Sequence, residues 1–197
     1  MAPTLILAST SRYRAELLAR LGLPFEAIAP GVDESPVDGE SPNTRAMRLA
    51  TAKATTVATR FPAAWVIGSD QVAELDGEIL DKPGDAARCR VQLARESGRT
   101  VEFHTAVTLM RREPRRAFEH SDRTVVRFRQ LSGEQIASYV ERDRPYDCAG
   151  GFRSEGLGAA LFESVETRDP TALIGLPLVW LAGALRNAGL DPLTTHS

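Results

Sequence analysis

Hydrophobic and polar positions predict alternating strands and helices through roughly the first half of the chain. Continuous apolar runs, typical of buried strands, occur at residues 5–8 and 65–67, and a second strand is predicted over residues 25–29. Apolar residues at helical spacing predict a helix that ends at Gly22 and a longer one from Pro42 to about Phe61. The third strand is predicted to end in the polar segment at residues 68–71.

The second half of the chain is richer in strand patterns. Alternation predicts one long hairpin from residues 100–110 and 123–129, and Asp76-Gly77 marks a tighter hairpin. Helices are predicted over residues 85–97, from the capping box of Ser132 and Gln135 to about residue 142, and over 175–187. Together these elements predict one α/β domain over residues 1–197, with a mixed, elongated β-sheet flanked by helices and two lobes around a central cleft.

Composition and charge narrow the function by exclusion. The net charge is −2, which argues against binding to a nucleic-acid polymer, because that needs a basic face. The one basic run, at residues 111–116, is predicted as the solvated tip of the long hairpin. No apolar stretch reaches the ~20 residues of a membrane span, and the N-terminal residues do not have the pattern of a secretory signal. We therefore expect a cytoplasmic protein that binds no membrane.

Cysteine and histidine are too scarce for a soft-metal site. The two cysteines are Cys89 and Cys148, and the three histidines are His104, His120 and His196. These residues provide neither a disulfide framework nor the ligand spacing of a zinc site. Any catalytic metal should therefore be a hard cation, bound by carboxylate and phosphate oxygens.

Hydroxyl residues follow the first buried strand at the point where a helix is predicted to begin. Ser9, Thr10 and Ser11 stand there, and Arg14 follows one turn later. Free backbone N–H groups at a helix N-terminus bind phosphate, and an arginine adds a bidentate contact. The alternative is ordinary capping of the helix by a serine.

Carboxylates occur at two places where a metal or a water molecule could be held. Asp33 and Glu34 lie in a loop rich in glycine and proline, and Asp70 lies in the polar segment after a buried strand. Paired carboxylates hold Mg²⁺, and a buried aspartate can act as a general base. The alternatives are solvated loop acids and a simple turn.

Lysine is rare in this chain. Of the 24 basic residues only Lys53 and Lys82 are lysines, and the rest are arginines. An ammonium group reaches a single phosphate oxygen in a confined space, where a guanidinium group fits poorly. We therefore expect Lys53 and Lys82 to be functional, with chance as the alternative.

The glycine-rich segment at residues 148–158 is the last candidate. Its glycines permit close approach of the backbone to a ligand. Arg153 and Glu155 would face the same side of an extended chain. The alternative is a surface loop in which these two residues form an ion pair.

Taken together, these segments resemble the Maf family of nucleotide pyrophosphatases. The matching segments are LILASTSRYRAELL, VDE, RLATAKA, VIGSDQV, LDGEILDKP, CAGGFRSEGLG and LIGLPL. The resemblance implies hydrolysis of a nucleoside triphosphate to the monophosphate and pyrophosphate with a divalent cation, Mg²⁺ or Mn²⁺. It assigns phosphate binding to Ser9, Ser11 and Arg14, and contacts with the triphosphate to Lys53 and Lys82. It assigns the metal and the attacking water to Glu34 and Asp70, with Asp70 as the proton acceptor.

Three positions distinguish branches within the family. The pyrimidine branch, active on dTTP and UTP, has Arg, Thr and Gln where this chain has Tyr13, Gln71 and Glu155. The present residues resemble the branch that acts on 7-methyl-GTP, in a house-cleaning role for modified nucleotides. N7-methylation makes guanine cationic, so an aromatic face attracts it, and a carboxylate accepts from its N–H groups.

Three residues of this chain differ from the usual pattern of the branch, and two other functions remain possible. Arg12, Gly151 and Arg153 stand where this branch usually has Pro, Ser and Lys, and Arg153 keeps the charge of a substrate-binding lysine. The alternative functions are a dTTP/UTP pyrophosphatase of the same family and a non-catalytic nucleotide-binding regulator of cell division. The resemblance also allows a homodimer.

Overall fold

The computed structural model describes residues 5–194, so the N-terminal end and His196 lie outside the described residues. The strands are β1 (Leu5–Ala8), β2 (Glu26–Ala27), β3 (Trp65–Leu75), β4 (Glu78–Leu80), β5 (Thr100–Arg111), β6 (Arg116–Phe128) and β7 (Phe162–Glu166). The α-helices are α1 (Arg12–Ala19), α2 (Pro42–Arg60), α3 (Ala86–Glu96), α4 (Gly133–Asp143) and α5 (Leu178–Asn187). None of the helices in this range is long and apolar enough to cross a membrane.

All of these strands form one mixed sheet in the order β2-β1-β3-β5-β6-β7, with β4 added to β3. β1 pairs in parallel with β2 and β3, and every other pairing is antiparallel. β1 pairs with residues 65–68 of β3, whereas β4 pairs with residues 73–75. The edge of β3 is therefore open at residues 69–72, between β1 and β4.

Two hydrophobic clusters cover one face of the sheet on either side of this gap. In the first, Leu7, Ile67 and Leu109 pack with apolar residues of α1 and α5. In the second, Leu75 and Phe103 pack with residues of α3 and α4. Side chains on one face of β3 thus belong to the first cluster near the start of the strand and to the second cluster near its end. The mixed, elongated sheet and the two lobes predicted from the sequence are confirmed.

α2 covers the opposite face of the sheet and lies against β3 and β5. Gly68 makes this close approach feasible, because a Cβ there would lie 2.2 Å from the carbonyl oxygen of Ala50 and 2.6 Å from the amide nitrogen of Ala54. The apolar stripe of α2 includes Ala50, Ala54 and Val57, which are fully buried. Small residues on both sides therefore set the distance between helix and sheet.

Several predicted elements are confirmed at the level of single contacts. Asp76 and Gly77 have φ values of 51° and 83°, as the predicted tight hairpin requires. β5 and β6 form the long hairpin, and the basic run lies at its tip. The Ser132 side chain accepts from Gln135, whose side chain accepts from the Ser132 backbone, so the capping box is complete.

Other predicted bounds are wrong. Residues 68–71 are not a turn: they continue β3 and pair with residues 105–108 of β5. The second strand, predicted over residues 25–29, spans only Glu26–Ala27. The last helix begins at Leu178, because Gly175 has φ 121° and the extended Pro177 serves as its N-cap. The prediction of a single domain over residues 1–197 stays a prediction.

Candidate active site

A cleft of about 720 Å³ opens at the gap in the sheet between β1 and β4. The chain that leaves β1, the open edge of β3, the start of α2 and the glycine-rich segment all contribute to its walls. Every site residue that the family resemblance assigns lines this cleft: Ser9, Ser11, Tyr13, Arg14, Glu34, Lys53, Asp70, Gln71, Lys82, Arg153 and Glu155.

The acid–lysine cluster, which consists of Glu34, Lys53 and Asp70, lies on the α2 side of β3. The Lys53 ammonium is 2.6 Å from Asp70 Oδ1 and 2.7 Å from Glu34 Oε1. The side chains of Lys53 and Asp70 are only 7% and 10% exposed, whereas Glu34 is 54% exposed. A buried ammonium thus holds two carboxylates at one point, and the free oxygen of Asp70 accepts no hydrogen bond from a described residue.

The electrostatics of Glu34 follow from these neighbours. Burial alone raises the pKa of the Glu34 carboxyl. The hydrogen bond and charge of Lys53, with the charges of Lys82 and Arg14, outweigh burial and bring that pKa below its ordinary value. Glu34 is therefore a carboxylate at neutral pH.

Arginines on α2 fix the loop that carries Glu34. Arg48 donates to Glu40 at 2.7 and 2.8 Å and to the Ser35 carbonyl at 3.2 Å. Arg45 donates to the Glu34 carbonyl at 3.3 Å. These contacts hold the otherwise irregular loop against the helix that carries Lys53.

The expected pairing of Asp33 with Glu34 is wrong. The Asp33 carboxylate accepts from the amide and hydroxyl of Ser35 at 2.9 and 2.6 Å, and it does not line the cleft. Adjacent residues in an irregular loop point in different directions, so sequence adjacency did not bring these two carboxylates together.

Hydroxyls and a guanidinium group surround the start of α1. Ser11 is the N-cap of α1, and its side chain accepts from the Arg14 amide at 3.4 Å. The Ser11 amide donates to Ser9 Oγ at 3.1 Å. The capping alternative therefore holds for Ser11, within a segment that also forms a wall of the cleft.

Arg14 is fixed across the cleft by the chain before α5. Its Nε donates to the Gly175 carbonyl at 3.0 Å. Burial lowers the pKa of the Arg14 guanidinium, and the charges of Asp70 and Glu34 oppose this shift. The group is a positioned cation beside two carboxylates.

Lys82 differs from Lys53 in its surroundings. It follows β4 and is exposed, and it forms no ion pair with any residue of the described range. The confined space expected for both lysines is therefore found only at Lys53, and that expectation is wrong for Lys82. Lys82 instead offers a free ammonium at the cleft mouth.

Gln71 faces the opposite side of β3 from its neighbour Asp70, because successive strand residues alternate. Its amide nitrogen lies 3.0 Å from each of three acceptors, the Thr105 hydroxyl and the carbonyls of Ala172 and Leu173. This network assigns the nitrogen of the amide. Its carbonyl oxygen accepts no hydrogen bond from a described residue, so it remains an acceptor in the cleft wall.

Comparison with known proteins settles the family. Residues 4–188 match the sequence profile of the family described as Maf-like protein. The chain belongs to the Maf family. A relative named 7-methyl-GTP pyrophosphatase, from Xanthomonas oryzae pv. oryzae (strain KACC10331 / KXO85), is 53% identical over 96% of this chain and 98% of its own.

Further relatives of this Maf protein carry the same name. Those from Thiobacillus denitrificans and Bordetella avium are 52% and 51% identical, over 98% and 99% of this chain and 96% and 98% of their own. Among solved structures, the Staphylococcus aureus Ham1 protein aligns with a TM-score of 0.47 at 13% identity, over 79% of this chain and 89% of that one.

The glycine-rich segment of this Maf protein is a turn where an extended chain was expected. Residues 154–156 form a turn between two short 3₁₀ segments. Arg153 does not pair with Glu155, so the proposed ion pair is wrong. Its Nη2 instead binds the Asp143 carboxylate and donates to the Asp143 carbonyl at 2.6 Å. Arg153 thus ties the segment to the end of α4.

Among the cleft residues that were missed from the sequence are the charged residues Arg45 and Asp147. Arg45 lines the cleft on the same face of α2 as Leu49 and Lys53, and a spacing of four residues on a helix was the available signal. Asp147 lines it beside Tyr13, and no spacing rule indicated this contact, because it joins residues far apart in the chain.

The oxygen donors fit a hard cation at the acid–lysine cluster. Glu34 and Asp70 already hold one cation, the Lys53 ammonium, between them, and carboxylates with phosphate oxygens suit Mg²⁺ or Mn²⁺. A second group of ligand-type side chains, Glu74, Glu102 and His104, lies outside the cleft. Arg123 already binds both oxygens of Glu102 there.

Proposed function

We propose that this Maf protein hydrolyses 7-methyl-GTP to 7-methyl-GMP and pyrophosphate. The observation that carries the proposal is the single cleft in which the acid–lysine cluster and the three branch-distinguishing residues Tyr13, Gln71 and Glu155 meet. The names of relatives that are 51–53% identical over nearly the whole chain support the same substrate.

Asp70 supplies the general base in this mechanism. Lys53 holds Asp70 Oδ1 at 2.6 Å, which leaves the second oxygen to accept a proton from water. The new oxygen–phosphorus bond forms at the α-phosphorus, and the bond from that phosphorus to the bridging oxygen breaks. The electron pair of that bond leaves with pyrophosphate.

Positive charges stabilise the leaving group. Lys82 has no ion-pair partner among the described residues, and Arg14 is fixed by Gly175, so both can face phosphate oxygens. Preorganised charges of this kind are usually the largest catalytic contribution. A divalent cation held by Glu34 and Asp70 supplies further neutralisation of the triphosphate when bound.

The base is recognised on the other side of β3. Because the Gln71 nitrogen is committed to protein acceptors, its oxygen is left for the N–H donors of guanine, and Glu155 adds a carboxylate acceptor. The Tyr13 ring offers an aromatic face to a cationic base.

A substrate panel tests this proposal. We expect kcat/KM to be highest for 7-methyl-GTP among 7-methyl-GTP, GTP, dTTP and UTP, with pyrophosphate as the product. A preference for dTTP or UTP would instead assign the chain to the pyrimidine branch. Tight nucleotide binding without turnover at any divalent metal would favour a regulator, and release of inorganic phosphate would identify a phosphatase.

Substitution of Asp70 tests the mechanism. Asp70→Asn should lower kcat by at least about 10²-fold, because the amide oxygen is a far weaker base. Asp38→Asn, an exposed loop residue outside the cleft, is the matched control and should keep the parent rate. If the Asp70→Asn variant turned over within a few-fold of the parent rate, Asp70 would not be the general base.

The cytoplasmic location, the homodimer and the choice between Mg²⁺ and Mn²⁺ stay predictions. Cell fractionation, light scattering of the purified protein, and titration of each metal against turnover test them in turn.

A further inference from the structure

We propose that Asp147 is a specificity-determining residue whose carboxylate reads the positive charge of the methylated base. This inference rests on the proposed function, since it concerns how the same cleft separates 7-methyl-GTP from GTP. The two nucleotides carry the same triphosphate, so contacts at the acid–lysine cluster cannot distinguish them.

Asp147 lies at the Tyr13 end of the cleft, which is formed by Tyr13, Asp147, Cys148 and Glu155. It stands on the segment after α4, next to the glycine-rich segment. The Tyr13 hydroxyl donates to Asp147 Oδ1 at 3.5 Å, and the Cys148 thiol lies 3.6 Å from the same oxygen. Two side chains thus orient one oxygen of this carboxylate.

These donors keep their protons at neutral pH. Burial raises the pKa of the Tyr13 hydroxyl, and burial raises that of the Cys148 thiol to about 12. Neither group therefore brings a competing negative charge to Asp147.

Asp147 is exposed, and the charge of Arg12, whose guanidinium binds the Tyr13 hydroxyl, acts on it without a direct salt bridge. Within residues 5–194 Asp147 forms no ion pair, in contrast to Glu34 and Asp70, which share Lys53. The Arg153 guanidinium forms its salt bridge with Asp143 on α4 and not with Asp147. A carboxylate without a salt bridge beside an aromatic ring adds charge attraction to the attraction that the ring itself exerts on an organic cation.

Arg12 shows that a planar cation is favourable at this ring. Its guanidinium carbon lies 4.7 Å from the centre of the Tyr13 ring, and its Nη2 donates to the Tyr13 hydroxyl at 2.7 Å. N7-methylated guanine is also a planar, delocalised cation. Two cations near one ring repel each other, and the negative charge of Asp147 offsets that repulsion.

The test uses three substrates that separate the effect of the positive charge on the base from the effect of the methyl group. Parent and Asp147→Asn would be assayed with 7-methyl-GTP, with GTP, and with 7-deaza-7-methyl-GTP, which keeps the methyl group but is neutral. We expect kcat/KM for 7-methyl-GTP to fall about fivefold in Asp147→Asn, as for a partly exposed charge pair, with less than about twofold change for the neutral substrates. Asp147→Glu should recover much of the preference.

Asp38→Asn is the control, since it removes an exposed carboxylate outside the cleft. An equal loss for all three substrates, or no loss for any, would overturn the role of Asp147. A parent enzyme that hydrolyses 7-methyl-GTP no better than GTP would overturn the proposed function itself, together with the inference. A parent preference left intact by Asp147→Asn would overturn the inference alone.

Discussion

At the scale of single residues, the two lysines of the cleft stand in different surroundings. Lys53 is buried between carboxylates on α2, whereas Lys82 is exposed at the mouth of the cleft. A guanidinium group is larger and planar, so it needs more room than the ammonium of a lysine whose side chain is only 7% exposed between two carboxylates. Lys82 has no such constraint.

Arginine substitutions separate the two roles. Lys53→Arg should lower kcat/KM for the preferred nucleotide by about 10²-fold, because it displaces Asp70 and Glu34. Lys82→Arg should lower it by less than about fivefold, since a free cation at the mouth remains a cation. Steady-state kinetics with melting temperatures as a folding control measure both. Near-parent turnover in Lys53→Arg would show that the rarity of lysine is accidental at this position.

Sequence reasoning located these residues but not their partners. Motif matches brought together every predicted site residue, including Glu34 on an irregular loop. The commitment of Arg153 to Asp143 and the contact of Asp147 with Tyr13 depend on how α4 packs, which no local pattern encodes. Long-range side-chain pairing was therefore the part that sequence could not provide.

At the scale of elements, β3 departs furthest from its predicted form. Its polar residues suggested a turn, yet Ser69 is fully buried, and its hydroxyl lies 2.8 and 2.9 Å from the carbonyls of Ala106 and Gly175, either of which can accept its hydrogen. Hydrogen bonds to the backbone satisfy the hydroxyl inside the sheet, so a polar residue is no obstacle to a buried strand there. The helices with clear caps, α3 and α4, matched their predictions within a residue or two.

The contact between α2 and β3 gives a stability prediction. Gly68→Ala should destabilise the protein by about 3 kcal/mol, because the new Cβ would meet backbone atoms of α2 that cannot move aside. Gly133→Ala is the control: nothing lies within 4 Å of a Cβ at that position and its φ is not positive. Urea denaturation would measure both variants. Equal stability of the two would show that α2 can shift on the sheet.

At the scale of the whole molecule, a buried acid links stability to pH. Glu96, near the end of α3, is fully buried, and neither of its carboxylate oxygens has a hydrogen-bond partner among the described residues. Burial raises the pKa of this carboxyl well above 4.5, the value of an unperturbed glutamate. The folded state therefore holds a proton that the unfolded state releases as the pH rises.

The sign of the effect follows from this difference. The contribution of Glu96 to the free energy of unfolding should be greatest below pH 4.5, the pKa of glutamate in the unfolded chain. It should decline as the pH rises from 4.5 toward the raised pKa of Glu96 in the folded state. Glu96→Gln should flatten that decline, because an amide does not ionise. Urea denaturation between about pH 4.5 and 8.5 measures both proteins. An unchanged slope in Glu96→Gln would show that another group dominates.

The gap in the sheet has a consequence for how this molecule can change over evolutionary time. Asp70 and Gln71 are neighbours in the chain but face opposite sides of β3, so the proposed proton transfer and the proposed base selection use opposite faces of one strand within the same cleft. Residues on the Gln71 side can be exchanged while the cluster on the Asp70 side stays intact. A fold of this kind can acquire new substrates through a few substitutions while the catalysed reaction stays the same.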